Sequence, residues 1–156
     1  MPFTLRPVAS TDDDFLYRLY GATHGQQFAL LPLAPAQLDA LLRMQFQAQR
    51  SGYRQQYPAS QDFLILVDGQ PAGRVWLDDS QPLHLHLLDI ALLPPHQGSG
   101  TGTAVLRQVM EQASRAAKAV TLHVARMNAR ALEFYRRLGF EVSGEDDVYV
   151  EMKWQG

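Results

Sequence analysis

The sequence predicts an α/β fold: one domain over residues 1–156, with a mixed central sheet of about six or seven strands flanked by about four helices. Three observations carry this. The chain has 156 residues, the size of one ordinary domain with a sizeable core. Its hydrophobic period switches between strand and helix spacing along the chain. No linker, internal repeat or low-complexity tract divides it.

The elements follow in order. Phe3 to Val8 reads as a short strand. Ser10-Thr11-Asp12 is N-cap chemistry, and Phe15, Leu16, Leu19 and Tyr20 follow at helical spacing, predicting a helix over about 11–22. Residues 21–35 are loop-like, with Gly25, Pro32 and Pro35. A second helix over about 36–51 places Leu38, Leu41, Leu42, Gln45 and Phe46 on one side, and Gly52 and Pro58 bracket the next loop. Phe63 to Val67 and Ala72 to Leu77 are strands joined by the hairpin signal Asp68-Gly69. Leu83 to Leu92 is nearly continuous in apolar residues, as a strand at the sheet centre requires. A glycine-rich turn opens a third helix over about 102–118, with Val105, Leu106, Val109, Met110 and Ala113 inward. A strand over 120–125 leads to a fourth helix, capped by Asn128 and stopped by Gly139. Strands over about 140–143 and 147–154 close the order βααβββαβαββ.

Composition excludes several chemistries. With no cysteine there is no disulfide, thiolate zinc site, iron–sulfur ligation or cysteine nucleophile. A net charge of −2 argues against a protein that lives on phosphate backbones, so nucleic acid is not an expected partner. No stretch reaches the ~18 apolar residues that span a bilayer, and no targeting segment is visible, so the expectation is a cytoplasmic protein without a membrane partner. Only Lys118 and Lys153 are lysine.

The turn Gln97-Gly98-Ser99-Gly100-Thr101-Gly102 lies between a buried strand and a helix. Free N–H groups at a helix N-terminus, with the helix dipole, bind phosphate oxygens, and glycine leaves no Cβ to block them. A pyrophosphate suits such a turn. A P-loop needs Gly-Lys-Ser/Thr, and no lysine is near; a dinucleotide fold needs Gly-x-Gly-x-x-Gly early in the chain, and here the glycines alternate and come late. Downstream stands Asn128-Ala129-Arg130-Ala131-Leu132-Glu133-Phe134-Tyr135-Arg136-Arg137-Leu138-Gly139-Phe140, an amphipathic helix with a cap and a stop.

Together these two segments resemble the GNAT superfamily of N-acetyltransferases. Its signatures, Gln/Arg-x-x-Gly-x-Gly/Ala and Asn-x-x-Ala-x-x-Phe/Leu-Tyr followed by Leu-Gly-Phe, both occur here in the family's order. Ile90 to His96 also matches the strand end and proline lead-in, so the motifs cover roughly 83–141. The resemblance implies acetyl-CoA as donor. Gln97, Gly98, Ser99, Gly100, Thr101 and Gly102 would wrap the pyrophosphate. Ile90 and Leu92 would pair their backbone with the pantetheine arm in a slot where two strands splay. Asn128 would lie near that arm, and Tyr135 beside the thioester sulfur.

Amine acetylation needs a deprotonated amine, a donor for the thioester oxygen and a proton for the departing thiolate. With no cysteine, acetyl passes directly to the amine in a ternary complex. Tyr135 is the general-acid candidate, protonated at pH 7 with an ordinary pKa near ~10. A backbone N–H near Ile90 to Leu92 would serve the oxyanion. The base stays open. The family often carries Glu where His86 and His123 stand, and Asp89 is a third candidate. Strand alternation puts His84 and His86 on one face and Asp89 on the other, unless a bulge intervenes. His84-x-His86 also reads as a metal pair, but no third ligand is near in sequence and no metal is expected.

The acceptor, a small-molecule amine or a peptide or protein amine, would lie over residues 20–60, where Tyr20, His24, Gln26, Gln27, Phe28, Arg50, Tyr53, Arg54 and Tyr57 are polar or aromatic. The acidic groups 12–14, 78–79 and 145–147 suit solvated turns and caps better than amine attraction. Two alternatives stay open: a non-catalytic acyl-CoA-binding module on this scaffold, or an N-acyltransferase for a longer acyl-CoA. The expected assembly is a monomer or homodimer.

Overall fold

The computed structural model describes residues 2–156, except for the side chains of Gln26 and Gln27. Seven strands form one sheet: β1 (Thr4–Pro7), β2 (Gln61–Val67), β3 (Gln70–Asp78), β4 (His84–Leu92), β5 (Ala119–Ala125), β6 (Glu141–Glu145) and β7 (Tyr149–Trp154). Their order across the sheet is β1-β2-β3-β4-β5-β7-β6. Only the β4–β5 pair is parallel; the rest are antiparallel. Four helices flank it: α1 (Asp13–His24), α2 (Pro35–Gln56), α3 (Thr101–Arg115) and α4 (Ala129–Arg137). This is the expected element order and fold class.

The sheet's two faces carry different cores. On one, Leu85, Leu87, Val120, Leu122 and Val124 pack with the α3 stripe Val105, Leu106, Val109, Met110 and Ala113, and with Tyr135 of α4. The five α3 positions are the ones helical spacing selects. On the other face Leu16 of α1, Phe46 of α2 and Leu64 of β2 form a second cluster. Asp68 (φ 52°) and Gly69 (φ 77°) make the two-residue hairpin turn between β2 and β3.

Two boundaries differ from the sequence reading. The third helix ends at Arg115, short of 118, because Ala117 turns left-handed (φ 57°) and Lys118 N–H folds back onto Ala113 O. The second helix does not stop at Gly52 but runs on to Gln56. A helical glycine costs about 1 kcal/mol against alanine. The next turn offsets that by seating Tyr53 and Tyr57 on the sheet: Tyr53 meets the Trp76 ring edge-on at 5.2 Å, and Tyr57 stacks on His86 at 5.6 Å. The helix ends just before Pro58, which disfavours a helical residue ahead of it. Among the described residues no helix is long and apolar enough to cross a membrane.

Candidate active site

β4 organises the site through one extra residue. Trp76 of β3 pairs with Asp89, yet the next residue, Leu77, pairs with Leu87, so Leu88 is bulged out of register. A single inserted residue reverses which face later side chains take. Leu85, Leu87, Ile90 and Leu92 all join the α3-side core. His86, Asp89 and Ala91 therefore share the other face, under α1 and α2. The bulge overturns the simple alternation that put Asp89 opposite His86.

The bulge also marks the end of β4–β5 pairing. Register runs from His84 with Ala119 to Leu87 with Leu122, and stops. Beyond it the two strands diverge. Leu93 N–H donates to Ala72 O of β3 (2.8 Å), so alternation turns the backbone of Leu92, and of Ile90, toward β5 across the opening. Leu92 O accepts from Gln97 Nε2; other main-chain groups on that edge have no β5 strand to pair with, and a ligand laid in as an added strand supplies a partner.

The glycine turn stands at the far end of β4. Gly98 (φ 75°) and Gly100 (φ 88°) are both left-handed, a conformation that favours glycine, and Gly100 is the N-cap of α3. No side chain caps this helix end. The first intrahelical bond, Ala104 N–H to Gly100 O (3.0 Å), leaves the preceding amides of Thr101, Gly102 and Thr103 without helical partners. A Cβ at Gly98 or Gly100 would meet nothing within 4 Å, so the space over the turn is open. Gln97 Nε2 donates to Leu92 O (2.9 Å) and ties the turn to the strand; Ser99 Oγ donates to His96 O (3.0 Å). Uncapped amides, open space and a positive helix end fit a pyrophosphate.

On the other bank, Asn128 caps α4 by accepting from Ala131 N–H (3.1 Å). That fixes the start of a helix whose Tyr135 is 9% exposed, packed against Phe134 and Phe140 at 5.2 and 5.6 Å. Burial pushes the Tyr135 hydroxyl pKa up, and the Asp89 carboxylate adds to the shift. Asp89 likewise raises Tyr20 and Tyr53, in both cases after burial, and Tyr53 reaches about 12. The charge of one carboxylate thus acts on tyrosines from α1, α2 and α4. Its own pKa is raised by burial, against the opposing charge of Arg74.

The two predicted histidines meet each other. His86 and His123 rings contact edge-on at 5.2 Å, and His86 Nδ1 lies 2.7 Å from Thr121 Oγ1. Burial, then His123 and His84, pushes His86 down to about 4, so its imidazole is neutral at physiological pH. His123 is half-exposed, with Nε2 3.4 Å from Glu151 Oε2 on β7. Among the described residues no group of three or more possible metal ligands gathers, at His84 and His86 or elsewhere.

Two acceptor-side candidates make contacts within the fold. Arg50 is buried and bridges to Asp13 (2.5 Å), tying α2 to α1. His24 stacks on Tyr20 at 4.1 Å. Gln26 and Gln27 lie outside the described side chains. The acidic groups act as turns and ties: Asp12 with Arg6, Asp79 with Lys118, and Asp146 accepting from Val148 and Tyr149 N–H. Sequence reading missed Trp76, Glu151 and the buried Arg74–Asp62 pair, whose second contact is Nε to Oδ1 at 3.1 Å. The signal for the pair was there: Arg74, Trp76 and Asp78 alternate with Val75 and Leu77, so β3 turns a polar and aromatic row toward α2.

Residues 31–140 match the model of the Acetyltransferase (GNAT) family, and the chain belongs to that family. It is 35% identical over 86 residues to an uncharacterized N-acetyltransferase of Methanocaldococcus jannaschii, covering 51% of this chain and 38% of that protein. It is 31% identical over 86 residues to spermidine N(1)-acetyltransferase of Escherichia coli K12, covering 53% and 46%. The chain thus spans less than half the length of these curated relatives. The fold also superposes on PaiA N-acetyltransferase of Thermoplasma acidophilum, solved with coenzyme A, at a TM-score of 0.76 and 17% identity over the whole of both chains.

Proposed function

We propose that the protein transfers acetyl from acetyl-CoA directly to a primary amine. The observation that carries this is the opening between β4 and β5, which starts at the bulge and leads to the uncapped N-terminus of α3. The amides of the 97–102 turn would hold the pyrophosphate, and the backbone edge of Ile90 and Leu92 that faces the opening the pantetheine arm. Asn128 sets the start of α4 on the opposite bank. Acetyl-CoA would supply the activated acyl group. The relatives named for N-acetylation, spermidine acetyltransferase among them, support an amine as acceptor.

The chemistry balances on this chain's own groups. The amine nitrogen bonds to the acyl carbon as the carbon–sulfur bond breaks. Tyr135, kept protonated by burial, gives its proton to the leaving thiolate and regains one as the acylated nitrogen sheds its second proton. Asp89 faces the acceptor side, draws the ammonium in and takes its proton; burial makes it a stronger base than an ordinary carboxylate. His86 and His123 line the route by which that proton reaches solvent, His123 being the exposed end.

The test is an amine-panel assay that reads free CoA thiol, beside calorimetry with acetyl-CoA. Binding with release of CoA on at least one amine supports the reading. Binding without turnover on any amine supports a binding module instead. Asp89→Asn, His86→Ala and His123→Ala, each compared across pH, separate base from relay: only loss of the base removes turnover at every pH.

A further inference from the structure

Five aromatic rings touch in series on the face under α2. Trp76 meets Tyr53 at 5.2 Å, Tyr53 meets Tyr57 at 6.4 Å, Tyr57 stacks on His86 at 5.6 Å, and His86 meets His123 at 5.2 Å. Trp76 is the floor, 1% exposed, with its Nε1–H donating to Ser60 Oγ. Tyr53, Tyr57 and His86 are only partly buried. The row runs from Trp76 on β3, the cross-strand partner of Asp89, to His123 on β5, and His86, the fourth ring, lies on the same strand and face as Asp89. The Trp76 and Tyr53 end of the row lies by Asp89, and the Tyr57 and His86 end by Asp78, the cross-strand partner of His86.

The charges are also sorted. Arg74 stacks on Trp76 at 4.7 Å, but its guanidinium is taken by Asp62. Asp78 is buried and holds Ser80 through Oγ and N–H. Glu151 is engaged by Ser143 and His123. Asp89 forms no ion pair among the described residues, although the charges of Arg74 and His24 both act on it. One cationic head is matched there, and flat apolar surface beside it.

We propose that the acceptor is an arylalkylamine: a primary ammonium on a short arm from an aromatic ring, without a carboxylate, its ring lying along Tyr53, Tyr57 and His86 and its nitrogen at Asp89. This rests on the acetyl-transfer reading above. Ring on ring is favoured in offset and edge-on contact, and an ammonium is favoured over aromatic faces beside a carboxylate. A neutral His86 repels no cation. An amino acid would set its own carboxylate near Asp89 while the nearby guanidinium is already paired.

The experiment measures kcat/KM at saturating acetyl-CoA for tryptamine, tyramine and phenylethylamine against phenylalanine, spermidine and a lysine-containing peptide. The arylalkylamines should exceed the others at least tenfold. Tyr57→Leu should raise their KM at least fivefold with acetyl-CoA affinity unchanged, and Tyr57→Phe should restore it. Spermidine, the peptide or phenylalanine matching or outranking the arylalkylamines overturns the inference, as does an unchanged KM in a Tyr57→Leu protein that still binds acetyl-CoA. Should Tyr57→Leu fail to bind acetyl-CoA, Tyr53→Leu is read by the same criterion. Acetyl-CoA binding by the native protein is scored separately: its absence defeats the donor reading, whereas binding without arylalkylamine preference defeats only the acceptor class.

Discussion

Gly73 of β3 lies against the Ala91 carbonyl of β4: a methyl group on Gly73 would stand 2.1 Å from that oxygen and 2.8 Å from Leu92 Cδ2. No side chain fits there without moving backbone. The segment that would move is the free end of β4, whose outer edge faces the opening.

Gly73→Ala should therefore weaken both the fold and the donor site. Overpacking of this kind costs about 1–3 kcal/mol, and each kcal/mol lowers the melting temperature of a chain this size by about 2–4 °C. A melt and a calorimetric titration with acetyl-CoA check it. A normal melting temperature would show that β4 yields freely.

Gly100→Ala tests the turn separately. Nothing crowds that Cβ, so the cost is conformational, about 1–2 kcal/mol at φ +88°. Relief of that strain would turn the amides away from the ligand. KM for acetyl-CoA should rise about tenfold, the equivalent of ~1.4 kcal/mol, with the amine KM unaffected. Equal affinity in variant and parent would remove the turn from the donor site.

Tyr135→Phe removes one hydroxyl from a buried ring. Turnover should fall by about 10²–10⁴, the usual worth of a general acid, while acetyl-CoA still binds. Because burial raises the tyrosine pKa, the parent should show no tyrosinate limb in kcat below pH ~10. Turnover within twofold of the parent would exclude the hydroxyl from proton transfer.

His86 makes a prediction about stability. Its folded pKa of about 4 lies below the ordinary value of 6.5. Between those values the unfolded chain binds the proton and the folded chain resists it, so unfolding is favoured as pH falls from 6.5 toward 4. Melting temperature should drop across that window, and less steeply in His86→Gln. Parallel curves would mean that His86 titrates normally.

Much of this site was legible in the sequence because it is written in main-chain chemistry. Alternating glycines before an apolar helix forecast an uncapped N-terminus, and Asn128 three residues before Ala131 forecast a cap; both are local. The bulge at Leu88 was not legible, since Leu87 and Leu88 look alike and the choice between them lies in pairing with β3. Tyr53 and Tyr57 stood out by residue type, but their helix was cut at Gly52, because local propensity sees the cost of glycine and not the Trp76 and His86 rings waiting beyond it. The Arg74–Asp62 pair joins neighbouring strands, which periodicity alone does not align.

The single residue inserted at Leu88 stands outside the frame of the ladder. Removing Leu88 would leave an unbroken ladder with β3: Leu87 and Asp89 would become neighbours on opposite faces, as they already are, so Asp89 and Ala91 would stay beneath α1 and Ile90 and Leu92 against α3. What the deletion would take away is the bulge at which β4 parts from β5. A one-codon deletion there would spare the core and the facing of Asp89 while removing the kink from which the opening between the two strands begins.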